Sequence, residues 1–166
     1  MFTIFGTASF QNIWYWAFSV LAWTLATQRT LGVPYDMLLR AKHDPDEVPR
    51  VEWLAHHAAE RVNAVYGRAG TAIAAAVGFL LAGLFVFGFF SRYEIARAAF
   101  VLALPLAMIG YSTLRLALSV EKHDLRGNGL VTVLARRRFW HQVVAVLAIL
   151  NALVTALAFH PQLFGG

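Results

Sequence analysis

The sequence predicts an all-α integral membrane protein: a four-transmembrane-helix bundle, N-out/C-out, with a cytoplasmic amphipathic helix between spans one and two. Three observations predict it. Hydrophobic residues make up 59% of the 166 residues and charged residues only 14%, a balance too apolar for an ordinary soluble domain. Four stretches, about 12–30, 70–90, 95–120 and 139–159, approach the roughly 20 predominantly apolar residues that a bilayer crossing requires. Finally, 12 of the 14 Lys and Arg lie in or beside the segments 31–69 and 121–138. Basic residues accumulate on the cytoplasmic side, so both segments are expected there, and both termini outside. Four spans use almost the whole length, leaving a single membrane domain, 1–166.

Span one follows an uncharged lead-in. The run from Met1 to Gln28 has no basic n-region, which argues against a cleaved signal peptide. Trp14, Tyr15, Trp16 and Phe18 form an aromatic belt of the kind that anchors a helix at the membrane–water boundary. Gly32-Val33-Pro34 ends the span, because Gly accepts a C-cap conformation and the residue before Pro disfavours the helical region. Asp44-Pro45-Asp46-Glu47-Val48-Pro49 breaks the first loop, and a helix begins near Pro49. Val51, Leu54, Ala58, Val62 and Val65 fall on one side of it and Glu52, His56 and Glu60 on the other, an amphipathic pattern. This helix either runs straight into span two or lies on the membrane and turns at Gly67 or Gly70.

In span two Gly70, Ala74, Gly78 and Ala82 recur every four residues, a small-residue surface on which another helix can approach closely. Ser91-Arg92-Tyr93-Glu94 makes a tight turn into span three, whose Pro105 removes one backbone hydrogen bond and predicts a kink. Gly127-Asn128-Gly129 signals a turn in the second loop. Arg136, Arg137, Arg138 and Trp140 precede or open span four. With Trp14, Trp16 and Arg115, they are the candidate lipid-interface residues, able to anchor the chain and meet anionic head groups.

The absence of Cys excludes disulfides, thiolate metal sites and cysteine nucleophiles in this chain. No phosphate-binding Gly-rich loop or catalytic triad pattern is present, and no ionisable residue falls at mid-membrane depth, where coupled transport usually needs one. The net charge of +5 lies beside apolar helices, which favours lipid over nucleic acid. Glu52, His56, His57 and Glu60 are the candidate metal ligands, since Glu52, His56 and Glu60 share one helix face. However, residues i and i+8 stand about 12 Å apart on a helix, a long reach for one ion. Tyr111, Ser112, Thr113 and Asn151 supply the polar groups that would line a transport path.

Asn12-Ile13-Trp14-Tyr15-Trp16, followed by Leu31-Gly32-Val33-Pro34-Tyr35-Asp36-Met37, resembles a family of small four-span membrane proteins of Rhodobacter-like alphaproteobacteria, often labelled "component of SufBCD complex". The resemblance extends through spans two and three, where Leu102 to Gly110 is similar to the family's Pro-containing third span. It implies a membrane partner of a larger machine and supplies no active site. Iron–sulfur assembly needs nucleotide sites or sulfur ligands, and the chain has neither. The leading expectation is therefore a non-catalytic accessory or scaffolding subunit of an inner-membrane complex, such as a respiratory or photosynthetic one. It would carry no cofactor and would contact lipids and other integral membrane subunits, with Gly70, Ala74, Gly78 and Ala82 as its helix-packing surface. The alternatives are a small transporter or lipid-handling protein, and a cytoplasmic-side metal- or cofactor-binding protein.

Overall fold

A computed structural model of the chain describes residues 13–91 and 93–159; the lead-in before Ile13, Arg92, the tail from His160, and the side chains of Arg29 and Phe159 lie outside the described residues. The first helix, α1, covers Ile13–Gln28. A two-stranded antiparallel hairpin follows, β1 (Arg29–Thr30) against β2 (Val33–Pro34), in register Thr30 with Val33. Its turn residues Leu31 and Gly32 have φ of 49° and 76°, the doubly left-handed geometry that suits a two-residue hairpin. Leu31 holds that conformation because its side chain is 3% exposed. Gly32 has little choice, since a Cβ there would come within 3.0 Å of the Ala58 methyl.

Helix α2 (Tyr35–Ala41) is short, and a 3₁₀ turn at Pro45–Glu47 leads out of it. The Asp44 side chain caps that turn by accepting from the Asp46 amide at 3.0 Å. Helix α3 then runs unbroken over Val48–Phe85, 38 residues, about 57 Å at 1.5 Å per residue. Neither Gly67 nor Gly70 turns it, so the amphipathic segment and span two are one rod. A π-helical turn, Val86–Phe90, extends it to the hairpin with α4 (Glu94–Lys122), which continues through Pro105.

The last helix, α5, covers Gly127–Phe159 and begins 12 residues before the expected span. The second loop is thus only the short connection after Lys122, and Arg136, Arg137 and Arg138 lie inside a helix. Gly127-Asn128-Gly129 is its first turn rather than a loop, stabilised from outside because the Glu52 carboxylate accepts the Gly127 amide hydrogen. An acceptor at a helix N-terminus satisfies an orphan N–H and meets the positive end of the dipole.

Three helices are long and apolar enough to cross a membrane: the rod around α3, α4 and α5. The chain is a multi-pass membrane protein on that measure. The 16 residues of α1 reach about 24 Å. Helix α1 packs along α4 and α5, with Trp23 against Ile109, Ala145 and Ala148, and with Tyr15 and Trp16 against Ala98 and Ala156.

The largest cluster of buried residues lies at the polar end. Val51, Ala55 and Ala59 of α3, Leu116, Ala117 and Val120 of α4, and Leu130, Val131 and Leu134 of α5 form one buried core with Leu31, Val33, Leu38 and Ala41. The three long helices therefore continue beyond their apolar lengths as a packed head, closed by the hairpin and α2. At the opposite end α3 and α4 meet at Gly88, where a Cβ would fall 2.7 Å from the Arg97 nitrogen and 2.8 Å from its Cα.

Candidate functional site

Between these two closures the α3–α4 pair stands open. A groove of about 840 Å³ runs from Asn63 and Tyr66 to Leu81 on α3 and from Leu118 to Leu104 on α4. The eighteen steps from Asn63 to Leu81 give it a length of about 27 Å. Gly70, Ala74 and Gly78 form its α3 wall, with Gly67 above them. Ala82 does not line it; it is exposed, and Leu81 takes its place. A Cβ on Gly78 or on Gly110 across the groove would touch nothing within 4 Å. The small residues therefore leave space that the described residues do not fill. The residue that packs these helices closely is Gly88, outside the four-residue stripe; its sequence signal was only a glycine among phenylalanines.

Two sets of contacts fix the depth of the charged residues. Asn63 donates to Glu121, and antiparallel helices rising 1.5 Å per residue then place Arg68 beside Arg115. The Ser112 hydroxyl accepts from Arg137 Nη1 at 3.1 Å and sits 3.2 Å from His141 Nε2, which brings residues 136–138 to the level of Arg115. Arg68, Arg115, Arg136, Arg137 and Arg138 thus share one level, with the packed head on one side and the apolar helix lengths on the other. That is the position of cations at a membrane surface.

The candidate interface residues divide at this level. Trp14 and Trp140 are exposed, as is Arg136; Arg115 is exposed and lies over the Tyr111 ring at 5.7 Å. Trp16 is half-buried against Ala98 and Ala156, so it packs the bundle as well as facing outward. Arg137 and Arg138 also turn inward. Arg138 donates to the Gln28 carbonyl at 3.0 Å and stacks on Tyr35 at 4.3 Å, so it ties α5 to the end of α1. Arg97, close to the start of α4, is a buried cation. It is 6% exposed, and its Nε and Nη2 donate to the Gly88 carbonyl at 3.2 and 3.0 Å.

The proposed metal ligands gather around an open polar pocket of about 340 Å³ at the head, together with Trp53 and Arg126. They do not converge on one point. Glu52 is bound to the Gly127 amide, the His56 Nε2 lies 3.8 Å from Asp124, and His57 stacks on Trp53 at 5.5 Å while its Nδ1 lies 3.9 Å from Glu60. Among the described residues no group of three or more His, Asp or Glu is arranged to hold an ion. The physical reason is the helical rise, which spreads i, i+4 and i+8 along the rod, together with the capping duty of Glu52. Asp124 is further engaged by Arg126 at 2.9 Å, and that bond raises the guanidinium pKa.

The polar residues considered for a transport path point in different directions. Tyr111 faces the α3–α4 groove, Ser112 faces α5, Thr113 donates back to the Ile109 carbonyl at 3.0 Å, and Asn151 is exposed on α5. Comparison with family models, with curated proteins and with solved structures returns no match.

Proposed function

We propose that this chain is a non-catalytic accessory subunit of a larger inner-membrane complex, and that the α3–α4 groove seats a transmembrane helix of a neighbouring subunit. The observation that carries the reading is the contrast in packing along α3. Only 6% of its most apolar stretch is buried, against 28% for α4 and for α5, although its head portion contributes Val51, Ala55 and Ala59 to the largest buried core. In lipid no hydrophobic force drives helices together, so association relies on close packing against small residues. Gly70, Ala74 and Gly78 offer such a surface, and none of the described residues fills the groove they line. In this reading α1 is a fourth span, the head is cytoplasmic and both termini are outside, as the distribution of Lys and Arg indicates. The chain contacts lipids and integral membrane subunits, requires no cofactor and binds no nucleic acid. A role beside a respiratory or photosynthetic machine, or one like that implied by the family resemblance, is compatible with it.

The test is a pull-down of tagged chain from native membranes in mild detergent, with mass spectrometry of the eluate, for the native protein and for Gly78→Leu. Stoichiometric recovery of a larger complex by the native chain is expected. The variant should keep its own thermal stability, because nothing lies within 4 Å of that position, and should lose the partner. A partner-free native chain, or equal recovery by both proteins, would overturn the proposal.

A further inference from the structure

We infer that the cleft between α2 and α5 is a binding site for the phosphate of one anionic phospholipid. This goes beyond the accessory-subunit reading and holds whether or not a partner occupies the α3–α4 groove. The cleft has a volume of about 210 Å³ and is walled by Tyr35, Leu39 and Lys42 on one side and by Arg138, Phe139 and Gln142 on the other. At a liquid volume of about 30 Å³ per water it has room for a phosphodiester group, not for a helix. Both charged groups on its walls are cations. Arg138 is held in place by the Gln28 carbonyl and the Tyr35 ring, and neither contact neutralises it. Lys42 is exposed and has no ion-pair partner among the described residues; the one carboxylate of α2, Asp36, is bound to Arg40 at 2.9 Å. A planar guanidinium fixed beside a mobile ammonium suits phosphate oxygens.

Depth and surroundings identify the source of that phosphate. Arg138 belongs to the arginine level that marks the membrane surface, and Lys42 lines the same cleft. On the other side Phe139, Val146 and Leu150 are 60%, 58% and 51% exposed and recur along α5 at helical spacing, a track for acyl chains immediately below the cations. A soluble phosphate would make no use of that track, and a second copy of the chain would bring the same positive charge against the site.

The experiment is native mass spectrometry of the purified chain released from nanodiscs of phosphatidylcholine with a minor fraction of phosphatidylglycerol. The native chain is expected to retain one phosphatidylglycerol in preference to phosphatidylcholine. Lys42→Gln and Arg138→Gln should each reduce that preference by about fivefold, the effect of one cation near an anionic surface. Arg136→Gln removes an identical charge at the same level but lines a different recess, with Val133, Arg137 and Trp140, and should leave retention unchanged. Lys42 is exposed, so its variant carries the test if Arg138→Gln fails to fold. Equal loss in Arg136→Gln would show diffuse surface charge and overturn the proposal. So would retention that ignores Lys42, displacement of the lipid by millimolar inorganic phosphate, or recovery of a dimer with the cleft protected.

Discussion

Gly88→Ala provides a sharp test of how the two halves of the α3–α4 hairpin are held. An added methyl would lie 2.7 Å from the Arg97 nitrogen, 2.8 Å from its Cα and 3.1 Å from the Ala96 carbonyl carbon. All three atoms are backbone, so no side chain can swing aside. Reaching ordinary contact at 3.4 Å requires a local separation of about 0.7 Å. The same movement stretches the bonds from Arg97 to the Gly88 carbonyl, now 3.2 and 3.0 Å, past the range in which hydrogen bonds remain strong. Overpacking of this kind costs about 1–3 kcal/mol, and weakening a bond from a buried charged donor adds about 1.5–3 kcal/mol. Replacing Gly by Ala in a helix returns about 1 kcal/mol. The net expectation is a destabilisation of about 1.5–5 kcal/mol. Reversible denaturant unfolding of the purified chain in mild detergent measures it, with Gly78→Ala as the paired control. At Gly78 the methyl meets nothing within 4 Å, so the helix-propensity gain stands alone and the control should be neutral or up to about 1 kcal/mol more stable. If the two variants unfold at the same denaturant concentration, the close approach at Gly88 is not what joins the helices.

The remaining expectations concern the head and its orientation. Glu52→Ala leaves the Gly127 amide without its acceptor and should cost about 1 kcal/mol, the usual worth of a helix cap. Hydrogen exchange over the first turn of α5 should accelerate, and unchanged exchange there would refute the capping role. Because the chain contains no Cys, Ser91→Cys and Gly129→Cys each introduce a unique thiol. In intact cells a membrane-impermeant maleimide should label the first and not the second; the reverse pattern would invert the proposed topology.

Much of the helical plan was legible because the bilayer imposes simple requirements on a chain. Long apolar runs, the Ser91 to Glu94 turn and the placement of Lys and Arg are all one-dimensional signals. The extent of the helices was not legible in the same way. The helix from Pro49 was legible in its amphipathic spacing, but not its unbroken passage into span two; over 127–138 the polar residues resemble a loop, yet Leu130, Val131 and Leu134 pack into the head. Gly127 and Gly129 favour a turn locally, and the carboxylate of Glu52, 75 positions away, caps the helix that starts there. The stripe at Gly70, Ala74 and Gly78 was visible by spacing, but spacing gave no sign that the groove it lines would be left open.

The sequence by itself determined that this is a multi-pass helical membrane protein, where its apolar lengths lie, and which chemistries its composition forbids. Tertiary structure alone decided that α3 is one rod, that Gly88 rather than Gly78 is its point of close contact, and that Glu52 serves as a cap. It also decided that Arg138 and Lys42 line one cleft. Hydrophobicity and charge act on each residue separately and accumulate along the chain, so they can be read in order. Close approach, capping and charge pairing depend on which distant residues share a level, and that is set only once the helices have packed.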